Sequence, residues 1–278
     1  MKVEDIIKKE IEKLNKYNDT LSEILNISRM FKGRYGSEMF EYQKQFILNI
    51  HLSKEGCFVK KCRRAGISAV YSAHVAHRIA SEGCSMGRVM ILSPYSSMNE
   101  EIRKTIKMFL GGPSEEKILR EKVIFATPGT FASRVCSQRY SEVYIDEADF
   151  IENLHDLMLC LVGVHEKIIL VSTPQNRKAK KCVKENEEEV FDFNYYFKMS
   201  SDKNWLKQTI KWFEVPFFNM HLTWVKTEKE PTINHNGDVE YDKERWEAML
   251  CAGWTPCSPA HDALVKELGE SGTFEMLG

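Results

Sequence analysis

The sequence has no excess of charge of one sign, since 39 Lys and Arg residues stand against 40 Asp and Glu residues among its 278. This balance argues against a protein that coats nucleic acid with its whole surface, but not against a machine that grips a phosphate backbone locally. The chain also lacks any run near the ~18 apolar residues of a membrane span. Its charged, amphipathic N-terminus does not resemble a signal peptide. We therefore expect a soluble protein with no membrane partner that is not secreted.

The eight cysteines lack the spacing of a metal site or a disulfide framework. None forms a Cys-x-x-Cys pair, and no His stands near them at zinc-finger spacing. A reducing, intracellular setting follows. The sequence also has no internal repeat or low-complexity tract, and its length predicts one α/β core of about 200 residues with a C-terminal annex.

The most informative stretch is residues 56–68, where a strand-like apolar run leads into a basic turn and then a helix. The free N–H groups and the positive dipole end of that helix would face the turn, as a phosphate site requires. Gly66 would let the backbone approach an anion, and Ser68 could reach Mg²⁺. The standard signature ends in Gly-Lys-Ser/Thr, but Ile67 stands in the lysine position. A basic turn before a helix is more often a solvated loop, so this loop alone is weak evidence.

A second element stands about eighty residues downstream, where residues 143–149 read Val-Tyr-Ile-Asp-Glu-Ala-Asp. An apolar run that ends in two acids is typical of the Mg²⁺-holding and water-activating pair of an ATPase. Asp146 would hold the metal, and Glu147 would orient and deprotonate the attacking water. The alternative is that both acids cap the next helix. Two such elements in this order predict a site for ATP and Mg²⁺.

A third signal precedes the loop, where residues 40–43 read Phe-Glu-Tyr-Gln. An aromatic ring can stack on adenine, and the amide of Gln43 can match the donor and acceptor edge of the base. A Tyr-Gln pair at a helix start means little by itself. Its place shortly before the loop favours Gln43 as an adenine-reading residue.

Short apolar runs alternate with helical patterns along the chain, which predicts a mostly parallel sheet. Ligands bind beyond the carboxyl ends of such strands, where residues 61–68, Ser93, the acid pair and residues 172–176 would converge. Further local predictions are two short helices within residues 1–30, paired strands at 122–127 and 130–135, a strand at 193–197, a helix at 205–213, a strand at 217–225, a turn at 236–237 and a helix that Asp242 caps.

Taken in order, these motifs resemble the ATPase domain of a viral, tailed-phage type DNA-packaging terminase large subunit. The resemblance rests on Phe-Glu-Tyr-Gln (40–43), Lys-Cys-Arg-Arg-Ala-Gly-Ile-Ser (61–68), Ser-Pro-Tyr-Ser-Ser-Met-Asn-Glu-Glu (93–101), Tyr-Ile-Asp-Glu-Ala-Asp (144–149) and Val-Ser-Thr-Pro-Gln (171–175). It covers roughly residues 38–178 and, more loosely, continues to about 225. It implies a RecA-like P-loop ATPase core at 38–200, preceded by a helical segment at 1–37 and followed by a small lid or linker subdomain at 201–278.

The resemblance also implies roles for individual residues. Some members of the family carry the loop lysine at the front of the motif, and Lys61 is similar to that lysine. The implied ATP-binding set is Gln43, Lys61, Arg64, Ala65, Gly66, Ile67 and Ser68; the Mg²⁺ ligands are Ser68 and Asp146; the catalytic residues are Glu147, Arg64 and Arg63; and the coupling motif is Ser172, Thr173 and Pro174. Arg63 could instead pair with an exposed acid. A charge-stabilising arginine from a neighbouring subunit is also implied, for which Arg134 and Arg139 are candidates.

The activity that the resemblance implies is an ATP-hydrolysing motor that translocates double-stranded DNA into a procapsid. Its implied partners are the portal protein, the small terminase subunit and further copies of itself in a ring, in the host cell cytoplasm. Residues 200–278 are too few for the nuclease domain of a full large subunit, so we expect the nuclease on a separate polypeptide, trimmed off or absent. Two alternatives are a helicase-like or other nucleic-acid-remodelling ATPase, although no second phosphate loop is present, and a non-catalytic nucleotide-binding or DNA-docking subunit, which Ile67 suggests.

Overall fold

The computed structural model describes residues 3–135, 138–174, 182–184, 187–189, 192–199, 205–219, 222–225, 233–234, 243–263 and 265–266. The helices are α1 (Val3–Tyr35), α2 (Glu41–Leu52), α3 (Ile67–Glu82), α4 (Ser96–Phe109), α5 (Pro113–Lys122), α6 (Pro128–Val135), α7 (Leu154–Leu161), α8 (Phe193–Met199), α9 (Pro216–Asn219) and α10 (Lys243–Cys251). The strands are β1 (Gly56–Lys61), β2 (Val89–Leu92), β3 (Val123–Ala126), β4 (Tyr140–Asp146), β5 (His165–Ser172), β6 (Cys182–Lys184), β7 (Glu187–Glu189), β8 (Trp205–Ile210), β9 (Thr223–Val225), β10 (Ile233–Asn234) and β11 (Thr255–Cys257).

The centre of the molecule is a six-stranded sheet in the order β3-β2-β4-β5-β1-β8, and every neighbouring pair is parallel. Parallel strands need crossover connections, and helices on both faces explain why runs such as Val89–Leu92 are buried throughout. The strand that leads into the basic turn and the strand that ends in the acid pair are separated by one strand, β5. The chain thus has the α/β, RecA-like fold with a parallel sheet that the sequence predicts.

Two hydrophobic clusters hold the helices against the two faces of this sheet. Buried side chains from α1 to α4 form one cluster, which includes Ile27, Phe46, Val70 and Ile106. The other lies on the opposite face and includes Phe131, Leu157 and Phe193. Full burial of one such side chain stabilises the fold by about 1.5–3 kcal/mol. The strand ends that carry the polar site residues are therefore fixed from both sides.

The N-terminal segment forms one long helix, α1, so the prediction of two short helices was wrong. The expected break was at Asn18 and Asp19. These residues are poorer helix formers than Ala, but each costs only about 0.7 kcal/mol, and neither Gly nor Pro interrupts residues 3–32. The helix therefore continues through them.

Four further local predictions were wrong, in whole or in part, where aromatic or β-branched residues misled the pattern. Residues 130–135 belong to helix α6, which begins at Pro128, a residue favoured in the first helical turn. Residues 193–197 lie in helix α8, where Phe193 and Phe197 form a ring pair 6.0 Å apart at i, i+4 spacing. Residues 205–210, within the predicted helix at 205–213, form strand β8. Among the described residues of the predicted strand at 217–225, only Thr223–Val225 is extended, after the short helix α9.

The main sheet extends beyond residue 200, where the sequence places the end of the core, because β8 pairs with β1 along its whole length. Beyond it lies a small antiparallel sheet, β10-β9-β11, with α10. Trp224, Trp246 and Phe213 are buried there and meet edge to face or tilted. The predicted helix after Asp242 is confirmed as α10, whereas Asp242 itself and the turn at 236–237 lie outside the described residues.

The described residues contain no helix with both the length and the apolar character needed to cross a bilayer.

Candidate active site at the carboxyl ends of the strands

The site lies where three neighbouring strands end. β1 ends at Lys61, β4 at Asp146 and β5 at Ser172, and β5 lies between the other two. The pairing register sets Lys60 beside Ser172 and Val171 beside Asp146. The structure therefore brings the basic turn, the acid pair and the Ser-Thr-Pro segment to one edge of the sheet. Ser93, at the end of β2, is also buried near this edge, and residues 175 and 176 of the predicted segment lie outside the described residues.

Lys61 is bound directly to the second acid. Its Nζ donates to Glu147 Oε1 at 2.6 Å and to Thr173 Oγ1 at 2.9 Å. The lysine side chain is 7% exposed and that of Glu147 is 20% exposed. A buried ion pair is favourable only when further hydrogen bonds satisfy its members, and here the Thr173 backbone N–H donates to Glu147 Oε2 at 3.0 Å. The charge of Lys61 is thus held opposite the acid pair, as the front-lysine reading of the loop requires.

Asp146 faces the other way, toward the start of α3. Its Oδ2 accepts hydrogen bonds from Ser68 Oγ at 2.7 Å and from Tyr71 OH at 2.8 Å. Its Oδ1 accepts from the Glu147 N–H at 3.0 Å. Burial raises the pKa of the Asp146 carboxyl, and the Lys61 ammonium opposes that rise. A further cation beside Asp146 would favour the ionised carboxylate.

The oxygens of Ser68 and Asp146 fit the ligand preferences of Mg²⁺, which takes hydroxyl and carboxylate oxygens in an octahedron. Neighbouring ligands of such an octahedron lie about 2.9 Å apart at metal–oxygen distances of about 2.05 Å. The observed Oγ to Oδ2 distance is 2.7 Å. The two predicted metal ligands are therefore already adjacent, and a metal ion would take the place of their hydrogen bond.

The basic turn is tied down from below by α2. The carbonyl oxygen of Ala65 accepts from Tyr42 OH and from Gln43 Nε2, both at 3.1 Å. Gly66 has φ 72°, and a Cβ there would come within 2.8 Å of Gln43 Nε2, so the close approach favours glycine. The Gln43 amide is buried, and its Oε1 accepts from the Phe40 N–H at 3.0 Å. Gln43 thus fixes the loop, and its reading of adenine stays a prediction.

Ile67 is the first residue of α3 and is buried in the main cluster, with 1% of its surface exposed. Position 67 therefore points a side chain into the core, where a lysine ammonium would lose its hydration. The cation of the site comes instead from Lys61, at the other end of the turn.

The two arginines of the turn differ in their surroundings. Arg64 is exposed, and its guanidinium carbon lies 5.1 Å from the centre of the Phe217 ring, a cation–π arrangement. Phe217 belongs to α9, so this contact joins the turn to the C-terminal part of the chain. Arg63 is half-buried. Among the described residues, the only non-glycine residues with positive φ are Arg64 (60°) and Glu147 (48°), and such backbone strain, about 1–3 kcal/mol each, is typical of functional sites.

The structure also shows where the residues of the predicted coupling motif and the two candidate arginines lie. Ser172 Oγ accepts from the Asp149 N–H at 2.9 Å, and Thr173 and Pro174 are buried beside it. Arg134 lies exposed on α6, and Arg139 lies exposed just before β4. Since β4 has seven residues and a strand rises about 3.3 Å per residue, Arg139 is about 20 Å from the acid pair. It could reach such a pair only in another molecule.

Tyr71 escaped the sequence reasoning, and Tyr42 was predicted only as an aromatic ring that stacks on adenine, not as a residue that binds the loop. Tyr71 stands three residues after Ser68, so the helical spacing of α3 was a usable signal for a second hydroxyl on the same face. Tyr42 reaches Ala65 only through the packing of α2 against the turn, which no local pattern encodes.

No protein-family model matches the sequence, and no curated protein matches it. Among solved structures, the chain is similar to the large terminase ATPase domain of Thermus phage P74-26, with 13% identity over 66% of this chain and 86% of that one and a TM-score of 0.44. It is also similar to the large terminase of a thermophilic bacteriophage, with 11% identity over 63% of this chain and 46% of that one and a TM-score of 0.44. It is also similar to the Sulfolobus solfataricus SWI2/SNF2 ATPase core in complex with double-stranded DNA, with 17% identity over 50% of this chain and 32% of that one and a TM-score of 0.38. Similarities at this level concern the fold alone.

Proposed function

We propose that this chain is the ATP-hydrolysing motor subunit of a viral DNA-packaging terminase, which translocates double-stranded DNA into a procapsid. The observation that carries the ATPase part is the position of Lys61, whose ammonium lies 2.6 Å from Glu147 on a RecA-like sheet. The packaging part is supported by the ordered motifs at residues 40–43, 61–68, 93–101, 144–149 and 171–175.

In this proposal the residues of the site have separate roles. Ser68 and Asp146 hold Mg²⁺, which neutralises the charge that develops on the transferred phosphoryl group. Residues 65–68 offer backbone N–H groups at the start of α3, and Lys61 and Arg64 supply positive charge to the phosphates. Lys61 exchanges Glu147 for a phosphate oxygen when ATP binds. Glu147 is then able to orient and deprotonate the attacking water.

The same exchange explains how Ser172, Thr173 and Pro174 would couple hydrolysis to movement. Thr173 donates through its backbone to Glu147 and accepts from Lys61. A change of partner at Lys61 therefore alters a hydrogen bond of the coupling segment directly. Loss of the γ-phosphate would return Lys61 to Glu147 and restore that bond.

The proposed assembly is a homo-oligomeric ring on a portal protein, with a small terminase subunit, in the host cell cytoplasm. Arg134 or Arg139 would act in the site of a neighbouring subunit, which the ~20 Å length of β4 requires for Arg139. The C-terminal sheet would serve as the lid or linker. A nuclease would act from a separate subunit or domain.

ATP turnover in the presence of linear double-stranded DNA tests the proposal. Glu147→Gln should lower turnover by about 10²–10⁴-fold, because it removes the base and keeps the shape of the side chain. Lys61→Ala should also lose turnover. Lys60→Ala is the matched control, since Lys60 is the preceding lysine of β1 and its side chain projects to the other face. Equal turnover in the wild type and Glu147→Gln would contradict the assignment.

A second candidate, a non-catalytic nucleotide-binding subunit, is favoured by one observation: Ile67 is buried where a standard loop has its lysine. This candidate predicts that calorimetry detects binding of Mg·ATP to the wild type. It also predicts that neither the wild type nor any variant releases phosphate from ATP. A helicase-like ATPase would instead separate strands of a labelled duplex, which a packaging motor does not do.

A further inference from the structure

Helix α1 has a buried line of side chains that fixes its C-terminal half to the domain. Thr20, Ile24, Ile27 and Phe31 form this line, and each is less than 8% exposed. They recur at intervals of three and four, so they lie on one face of the helix. This face accounts for the attachment of α1 from Thr20 onward.

A second, exposed line runs along the same helix. Leu21 and Leu25 are 38% and 57% exposed, and Asn18 is also exposed. With 3.6 residues per turn, this line is rotated by roughly 120° from the buried one. Leucines on a helix face directed away from the domain are apolar surface for which the described residues provide no cover.

The sequence repeats the spacing of this line toward its N-terminus, with the intervals of a coiled coil. Its positions follow one another at intervals of 4, 3, 4, 3 and 4 residues: Ile7, Ile11, Leu14, Asn18, Leu21 and Leu25, here called the α1 stripe. In heptad terms, Ile11, Asn18 and Leu25 occupy a positions, and Ile7, Leu14 and Leu21 occupy d positions. The repeat covers almost three heptads.

The length of α1 indicates that this stripe has a partner. The helix begins at Val3, and the described side chains before Thr20, which are Asn15, Tyr17, Asn18 and Asp19, are all exposed. Most of the stability of a helix in a protein comes from the packing of its apolar face and not from helix propensity. Burial of the α1 stripe against another helix would stabilise this part of α1.

We propose that two copies of this chain pair through the α1 stripe as a parallel, two-stranded coiled coil. Residues 1–25 contain five lysines and six acids, so the segment has no net charge that would favour DNA or an anionic membrane as the partner instead. Ile11 at a with Leu14 and Leu21 at d favours two parallel strands. Ile7 at d and Leu25 at a, at the two ends of the stripe, favour larger assemblies, and Asn18 at a selects the dimer against them. The pairing goes beyond the proposed motor function and does not depend on it.

Asn18 sets the register of the pair. In a parallel, in-register dimer, the two copies of an a-position residue face each other, and a pair of Asn side chains can exchange a hydrogen bond. An apolar residue there would bind more tightly but would no longer select two strands. A polar residue in the middle of an apolar stripe is therefore a device for specificity and not an interruption of the pattern.

Light scattering coupled to size-exclusion chromatography of the full chain, over a dilution series, tests the pairing. The wild type should approach twice 32.3 kDa at high concentration and fall to 32.3 kDa on dilution. The double variant Leu21→Glu, Leu25→Glu should stay monomeric. Asn26→Glu with Gly33→Glu is the matched control, because both residues are exposed and occupy b positions, which face away from the partner helix, and it should dimerise as the wild type does.

The variant Asn18→Ile tests whether position 18 lies in the core of the proposed coiled coil or is only an exposed position of α1. It should lower the dissociation constant by about tenfold or more and produce species larger than the dimer. A wild type that is monomeric at every concentration overturns the proposal, and so does a double variant with wild-type mass. Loss of DNA binding in the double variant without any change of mass would assign the stripe to another partner and equally overturn it. Circular dichroism of each variant checks that the chain is folded.

Discussion

Position 67 shows how one buried side chain changes the chemistry of a loop. Ile67 is part of the hydrophobic core, so Ile67→Lys should lower the free energy of unfolding by ~3 kcal/mol or more, because an ammonium would be buried without a partner. Urea denaturation measures the loss, and Ile67→Met, which conserves volume, should cost less than about 1.5 kcal/mol. If Ile67→Lys is stable and raises ATP turnover strongly, Lys61 does not do the work of the missing lysine.

Phe217 offers a test of how Arg64 is held. Arg64 lies over the exposed ring of Phe217, and such a contact contributes about 0.5–1 kcal/mol at an exposed site. If Arg64 leaves the ring to contact a phosphate, Phe217→Ala should tighten nucleotide binding by about two- to fivefold. Isothermal titration with Mg·ATP measures this, and Phe217→Tyr should bind as the wild type does. Weaker binding by Phe217→Ala would mean that the ring holds Arg64 in its binding position.

Several site residues could be predicted because their signal is local. Asp146 and Glu147 end an apolar run, and Ser68 follows a glycine at a helix start, so sequence order alone suggests their chemistry. Tyr42 and Phe217 could not be found in this way. Each reaches the turn from an element far away in sequence, and their positions depend on the packing of α2 and α9.

Helix α3 is attached to β4 through a buried polar chain that should make stability depend on pH. His74 Nδ1 lies 2.8 Å from Tyr144 OH, which donates to Glu142 Oε2 at 2.9 Å. The hydroxyl therefore accepts from an Nδ1–H, and the buried His74 Nε2 has no hydrogen-bond partner among the residues that the structure describes. Burial lowers the pKa of His74 well below its ordinary value, and the charges of His51 and Arg78 act in the same direction.

The sign of the pH effect follows from this lowered pKa. Unfolded chains take up a proton at His74 below the ordinary His pKa of about 6.5, whereas the folded chain does not. The contribution of neutral, buried His74 to the free energy of unfolding should therefore be complete above pH ~6.5. It should decrease as the pH falls toward the pKa of His74 in the folded chain. Thermal unfolding between neutral and mildly acidic pH measures it. His74→Phe should be less stable at neutral pH but should show a smaller slope, and an unchanged slope would exclude His74 as the source.

Helices and strands were predictable from the sequence where a single periodicity of apolar residues dominated the segment. The apolar runs of β1 and β4 and the small-residue helix α3 have few alternatives, and the structure has them as predicted. Aromatic-rich segments did not decide between helix and strand. In α8 an i, i+4 ring pair made the helix, and in β8 pairing with β1 made the strand, so tertiary contacts overrode weak local preferences.

For the whole molecule, β8 determines how much of the chain the core requires. All six of its residues pair with β1, and the Cys62 N–H donates to the Ile210 carbonyl just where the turn begins. A chain that ends at residue 200 should lose cooperative unfolding, because β1 becomes an unpaired edge beside the site. A chain that ends at residue 219 keeps β8 and should unfold cooperatively. Equal cooperativity of the two in urea, followed by circular dichroism, would contradict a structural role for β8.

If Arg64 has the phosphate-binding role proposed above, its left-handed backbone means that stability and activity favour different residues at position 64. Glycine would relax the backbone there by about 1 kcal/mol, and because the Arg64 side chain is exposed, little packing would be lost. In a library screened only for folded protein, glycine should therefore be enriched at this position. In one screened for phosphate release, it should disappear.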